Sequence, residues 1–458
     1  MAESNEKMSE KLNEEVNEQA KNEQNNNKKK KSRRHRGSRR RKIVKVLFWI
    51  VFAIALITFI LAIVNVVSLR SNNAFVRNNV EKVVYENQLK PEKEDGYYTF
   101  TTDRDFKILQ ITDVHIGGGM LSVKNDNMAL NAVAAMVTAE KPDLVIVTGD
   151  VAFPVPYSAG TFNNKQSAKL FAQMMEKLGV YWCLAFGNHD TEVYSYYSRD
   201  AISSIYQDKK TYPHCLFVSG PDDVSGCGNY VINVKNSQGK ITQSLFVFDS
   251  HSYTDGDYLG IKWKYDCIHA DQVEWYKQTV EELTELNGGE EPKSLAFFHI
   301  PPIEMMDAYN EYKKAGFKDT DNLKYIYGEI GEGNEAICCS KYNYGIFDAF
   351  RENGTQGVFF GHDHLNNLCV EYKGIRLTYG YSIDYLAYSG INKYGLQRGC
   401  TVITVHPDSS FDNVGENYYQ DKYSPINKKE SVDMEHHMAE IEGAVESPLK
   451  ETVSNEQD

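Results

Sequence analysis

Apolar positions in this chain fall into two kinds of run. From Val46 to Val64, nineteen consecutive residues carry no charge, and Asn65 alone interrupts the run before Val67. That length crosses about 30 Å of hydrocarbon as a helix. A buried core helix would keep a polar stripe, and this segment is apolar on every side. Beyond it the runs are short and rich in β-branched and aromatic residues: Phe106–Thr112, Leu144–Thr148, Tyr181–Phe186, Tyr230–Val234, Leu245–Phe248, Leu295–His299, Gly357–Phe360 and Ile375–Tyr379. Each has strand length and ends at turn residues. Met128–Glu140, Gln166–Leu178 and Asp271–Leu286 carry helical spacing instead. Strands alternating with helices predict an α/β layered domain over 105–406. Residues 46–67 then form a transmembrane signal anchor, and 68–104 read as a polar stalk. The polar stretches 1–45 and 407–458 read as disordered tails.

Charge sharpens this division. Residues 1–45 hold 15 Lys and Arg against 7 Glu, whereas the rest of the chain holds 35 basic against 56 acidic residues, a balance of −21. An acidic body gains no counterion-release affinity from a phosphodiester backbone, so nucleic-acid binding is not expected. The basic block from Lys28 to Lys45 abuts the apolar run, while only Arg70, Arg77 and Lys82 follow it closely. The positive-inside rule therefore places the N-terminus in the cytoplasm and the domain outside, as a single-pass type II protein of the cell membrane, with anionic lipid near the basic block. A cleaved signal peptide fits less well, because the polar stretch ahead of the run is far longer than an n-region. All eight Cys lie after the span, with no CxxC pair and no recognisable disulfide framework.

The ends of the strand-length runs carry the chemistry. Asp113 and His115 follow the first run and Gly149-Asp150 the second. Gly187-Asn188-His189-Asp190 follow the third, His299 closes the sixth, and Gly361-His362-Asp363-His364 follow the seventh. In layered α/β folds the carboxyl ends of strands converge on one crevice. The pairs Asp113/His115 and His362/His364, spaced i, i+2, would point to one side of extended backbone. Any one of these histidines could be a satisfied core residue, but five in these contexts are what a metal site requires. Two Asp, one Asn and four His make a mixed oxygen and imidazole set suited to Mn, Fe, Zn or Co. Seven side chains exceed one coordination sphere, so two ions sharing a carboxylate are expected. Such a pair can clamp a phosphate and generate hydroxide at neutral pH. His214, His251, His269 and His406 lack such context. A phosphate-clamping Arg would have to come from Arg199, Arg351, Arg376 or Arg398, the arginines of the domain.

The ordered blocks DxH, GD, GNHD, H and GHxH over 113–364 resemble the calcineurin-like metallophosphoesterase superfamily. The phrases FFHIPP, YGIFDAF and GHDHLNN and the late Arg398 look most like the small purple-acid-phosphatase-like branch and its bacterial relatives. The resemblance implies a four-layer α/β-β/α sandwich of two mixed sheets. It also implies that Asp113, His115 and His364 hold a first metal, that Asn188, His299 and His362 hold a second, and that Asp150 bridges them. Asn188 and His189 would contact the phosphate, His189 would be the general acid, and Asp190 would orient its imidazole. Purple acid phosphatases place a tyrosine ligand three residues after the bridging Asp, where this chain has Phe153. No purple tyrosinate colour is therefore expected. The sequence as a whole predicts a membrane-anchored hydrolase of phosphate mono- or diesters. Its rival is a catalytically silent scaffold of the same fold, acting as an interaction module at the membrane.

Overall fold

Side-chain alternation along the central strands decides the layering. Leu245 and Val247 join one apolar core, whereas Phe246 and Phe248 join another. Leu295 and Phe297 separate from Ala296 and Phe298 in the same way. Successive side chains of a strand point to opposite faces, so such a sheet is covered on both sides, which is why its strands read as continuous apolar runs. The computed structural model describes residues 2–254, 262, 264–388, 391, 398–417 and 423.

The strands are β1 (Glu92–Glu94), β2 (Tyr97–Thr101), β3 (Phe106–Ile111), β4 (Leu144–Thr148), β5 (Trp182–Ala185), β6 (Tyr230–Lys235), β7 (Ile241–Val247), β8 (Ser294–Phe297), β9 (Leu323–Tyr327), β10 (Thr355–Phe360), β11 (Cys369–Tyr372), β12 (Ile375–Tyr379), β13 (Gly399–Val405) and β14 (Phe411–Asn417). Among the described residues they form a nine-stranded mixed sheet, β1-β2-β6-β7-β8-β10-β12-β11-β9, and a five-stranded one, β14-β13-β3-β4-β5. The helices are α1 (Ala2–Asn79), α2 (Val123–Glu140), α3 (Pro156–Ala159), α4 (Asn164–Leu178), α5 (Arg199–Tyr206), α6 (Ala270–Leu286), α7 (Ile303–Lys314) and α8 (Ile346–Glu352). Helices α2, α4 and α5 pack beside one another, with α2 against β3 and β13, while α6 packs on α8, α8 on β10 and α7 on β9. Leu245, Leu295, Phe297 and Phe359 of the large sheet share a core with the small sheet. The result is the four-layer α/β-β/α sandwich.

The chain divides into residues 1–64 and 65–458. Within the first unit the backbone is helical, and every described side chain is exposed, including the large apolar ones between Val46 and Val64. The helical stretch Arg41–Asn79 is long and apolar enough to cross a membrane. The expected disorder of 1–45 is not what the structure shows. Low hydrophobicity predicts the absence of a core, but Glu, Lys, Gln and Ala still favour helical backbone.

The expected stalk is also corrected. Asn72 is fully buried and donates to the Val123 carbonyl and to Asn127, and Phe75, Val76, Val80 and Val83 lie in the core. Strand β2 pairs in parallel with β6, and β1 returns to it through Asp95 and Gly96, both at positive φ. Asp-Gly between extended segments is a hairpin signal that the apolar-run reading passed over. At the other end the sheet runs past residue 406, because β14 pairs with β13. Of the predicted C-terminal tail, residues 418–422 and 424–458 lie outside the described ones. All eight cysteines are free.

Candidate functional site

Five loops leave the carboxyl ends of β3, β4 and β5 in one sheet and of β8 and β10 in the other, and they meet. The first two zip together, since the Asp113 and His115 amides donate to the Gly149 and Asp150 carbonyls at 3.1 and 3.0 Å. That pairing lies beyond the strand, and the i, i+2 pairs are not on extended backbone as predicted. Asp113, His115, Asp150 and His362 have φ of 50, 51, 54 and 80°. Each non-glycine residue held there costs about 1–3 kcal/mol, which surrounding contacts must offset. The close approach predicted for glycines is real: a Cβ at Gly187 would collide with Asp150 Oδ1, and one at Gly361 with Thr112 Oγ1.

All seven sequence-predicted ligands are buried and adjacent. Asp150 Oδ2 lies 3.2 Å from His115 Nε2 and 3.1 Å from His299 Nε2, placing one carboxylate oxygen between the two groups of ligands. His299 Nδ1 donates to the Thr148 carbonyl at 2.8 Å, which turns its Nε2 to Asp150 and to Asn188 Oδ1, 3.1 Å away. Asp113 Oδ1 lies 3.4 Å from His364 Nε2. Asp113 Oδ2 accepts the His362 amide, and the His362 ring centre is 5.1 Å from that of His299.

The set fits cations on two grounds. Asp113, Asp150 and Asp384 are sealed from solvent, and their ion-pair partners among the described residues are imidazoles. Buried charge left uncompensated is costly. In addition, His362 Nε2 and Asp113 Oδ1 are buried without a hydrogen-bond partner among the described residues, as atoms awaiting a ligand would be. Burial disfavours charge on His115 and His299, yet Asp384 beside the first and Asp150 beside the second outweigh it and push both up to about 9. In His362, burial and the neighbouring His299 push the pKa well down. Metal binding must therefore displace protons from His115 and His299 at neutral pH. Zinc affinity is expected to rise as pH goes from about 7 to 9, with proton release in unbuffered titration. An affinity flat across that window would contradict this.

The residues around the ligands depart from expectation. Asp190 does not orient His189: its carboxylate accepts the amides of Asp150, Ala152 and Gly187 at 3.1, 2.8 and 2.8 Å. Two of those amides belong to the loop after β4 and one to the turn that carries Asp190, so this carboxylate ties the two loops together. Burial, with Asp150 nearby, pushes Asp190 up to about 6. Beside His189 Nδ1 stands Glu192, at 2.9 Å. The His189 amide donates to Asp150 Oδ1 at 2.8 Å, and its ring stays partly open to solvent. Phe153 stacks on His115 with ring centres 4.7 Å apart and offers no oxygen.

Asp384 was not read from the sequence at all. Its Oδ2 lies 3.3 Å from His115 Nδ1 and 3.1 Å from His364 Nδ1. It follows β12, so the rule that polar residues at strand ends carry function would have reached it. The four arginines are held by other protein groups. Arg199 pairs with buried Asp249 at 2.5 Å, Arg351 meets Asp348 and the Lys373 carbonyl, Arg376 meets Asn413, and Arg398 donates to the Asp384 carbonyl. His251 is bonded to Gln272 and stacks on His269, while His214 meets Glu176 and His406 meets Asp105 and Asp412.

Comparison with known proteins agrees with this geometry. The family model for calcineurin-like phosphoesterases matches residues 106–366. Two proteins of Arabidopsis thaliana named "Probable inactive purple acid phosphatase" 14 and 29 are each 29% identical to this chain. The alignments cover 64% and 67% of this chain and 74% and 78% of theirs. "Phosphatase DCR2" of Saccharomyces cerevisiae is 28% identical over 59% of this chain and 46% of its own length. With the family model covering more than half of its length and the five motif loops gathered at one crevice, the chain belongs to the calcineurin-like phosphoesterase family.

Proposed function

We propose that this protein is a membrane-anchored, metal-dependent phosphoesterase hydrolysing phosphate mono- or diesters. One observation carries the reading: seven ligand side chains and His189, drawn from five loops of two sheets, stand within contact of one another around Asp150. Asp113, His115 and His364 would hold one ion, Asn188, His299 and His362 the other, and Asp150 both, with Mn, Fe or Zn as candidates. Bound there, two cations activate water near neutral pH and neutralise charge on the phosphate.

The rest falls to the protein. Buried Asp150 keeps the two ligand groups together and its Oδ1 holds the His189 backbone. His189, with Nδ1 against Glu192, would in its doubly protonated form give the Nε2 proton to the leaving oxygen as the phosphorus–oxygen bond breaks. Asn188 and His189 would touch the ester. The apolar helix is read as the anchor and the basic N-terminal block as its cytoplasmic flank, meeting anionic lipid, with the domain extracytoplasmic. The acidic body makes polynucleotides poor substrates.

The test is hydrolysis of p-nitrophenyl phosphate and bis-p-nitrophenyl phosphate by the full chain in detergent, stripped of metal and reloaded with Mn, Zn or Fe. Metal-dependent turnover supports the reading, and the ratio of the two rates assigns monoester or diester. Two bound ions with no turnover of either ester would favour the silent scaffold, the reading to which the names of the Arabidopsis relatives point. His189→Ala is expected to lower turnover about a hundredfold with both ions retained. Undiminished turnover in that variant would remove His189 from the chemistry.

A further inference from the structure

Glu192 is a buried acid, its side chain 3% exposed, and the family motif assigns it no part. Its Oε1 stands 2.9 Å from His189 Nδ1 and accepts the Tyr253 hydroxyl, also at 2.9 Å. The Tyr253 oxygen in turn accepts Asn188 Nδ2 at 2.9 Å. Hydrogen bonds therefore run from Asn188, on the metal side, through Tyr253 to Glu192, whose Oε1 closes on the imidazole as an ion-pair contact without hydrogen-bond alignment. The motif acid next to His189 is unavailable, since Asp190 is committed to three backbone amides.

Direction matters at both ends of this chain. A phenol that donates to Glu192 has its oxygen free to accept, so the Asn188 amide must turn Nδ2 to Tyr253 and Oδ1 to His299 and the ion position. A carboxylate can only accept, so a His189 ring that settles onto it carries its proton on Nδ1 and leaves Nε2 on the far side of the ring.

We propose that Glu192 is a positioning residue that sets the orientation and tautomer of His189 and, through Tyr253, the amide orientation of Asn188. The function of that orientation rests on the reading of His189 as general acid; the orientation itself does not.

The test uses the full chain in detergent micelles with ¹⁵N-labelled histidine, metal-free and zinc-loaded, with the His189 signals assigned by their loss in His189→Ala. Long-range ¹H–¹⁵N correlations are expected to show the Nδ1–H tautomer of neutral His189 in the wild type and a mixture in Glu192→Ala. Tyr253→Phe is expected to keep the tautomer but weaken one of the two zinc ions severalfold in titration against a chelator. It also serves as the second variant should Glu192→Ala not fold.

In kinetics, Glu192→Ala is expected to slow phenyl phosphate, which has a poor leaving group, roughly tenfold more than p-nitrophenyl phosphate, which hardly needs an acid. It should have no further effect in a His189→Ala background, because the two act as a unit. Glu192→Gln, which retains a neutral acceptor, should recover part of the loss. An unchanged tautomer in Glu192→Ala, equal slowing of both esters, or unaltered zinc binding in Tyr253→Phe would overturn the proposal. Should His189→Ala hydrolyse phenyl phosphate as fast as the wild type, the general-acid reading falls while the tautomer still judges Glu192. A chain silent toward both esters leaves the spectra and the zinc titration to decide.

Discussion

Asp150→Asn should leave the fold intact, release both ions and reduce turnover by about a thousandfold, the scale of losing a principal electrostatic stabiliser. Asp150 sets one carboxylate oxygen between imidazoles of both ligand groups, with Oδ2 at 3.2 Å from His115 Nε2 and 3.1 Å from His299 Nε2. Burial would raise its pKa, but His299, His189 and His115 hold it well below the usual carboxylate range, so it stands ionised. Asparagine keeps an oxygen for the His189 amide yet presents no negative charge to either cation. Elemental analysis, circular dichroism and turnover together make the check. A folded variant with two ions and native turnover would show that Asp150 does not bridge.

Asp384→Asn should weaken the ion held by His115 and His364 by about 10–100-fold, the usual cost of losing the outer partner of a ligating histidine. The other ion should be nearly unaffected. Leu386 and Ala387 give their amides to Asp384 Oδ1 and Tyr388 gives its own to Oδ2, which fixes the carboxylate. Against burial, His115 chief among its neighbours keeps it ionised, with its pKa well below the ordinary value. One carboxylate beside the Nδ1 atoms of two rings aims both Nε2 atoms at the ion position. Both rings meet the same oxygen, Oδ2, and both carboxylate oxygens also take backbone amides, so the nitrogen of an amide would face N–H donors in either place and turn the group. Competitive chelator titration resolves the two ions. Equal weakening of both, or of neither, would remove Asp384 from this role.

Much of the site was legible because the ligands sit at the ends of strands that declare themselves. Asp113, Asp150, Asn188, His299 and His362 each follow an apolar run whose alternating residues had to be buried, and burying the strands brings their ends together. The apolar span was equally plain, because no arrangement of nineteen uncharged residues offers a polar face to water. Strands β1, β2, β9, β11, β13 and β14 were not among the runs read from the sequence. The edge strands β1 and β14 carry Glu, Lys, Asp and Asn, and β2 and β13 lie inside the sheets beside partners elsewhere in the chain, β6 for β2 and β3 for β13.

The layered α/β class, the candidate metal-ligating residues and the apolar helix could be read from the chain alone, since each rests on a pattern within a few residues. Only the tertiary structure decided which acid serves which histidine. The family resemblance pairs Asp190 with His189. In the folded chain three backbone amides from two loops claim Asp190, and Glu192 and Tyr253 meet His189 and Asn188 in its place. Asp384 joins His115 at a sequence separation of 269, and the His362 amide reaches Asp113 at one of 249. Such contacts follow from how two sheets pack and which loops they crowd together, and hydrogen-bonding demand inside that crowd assigns the partners.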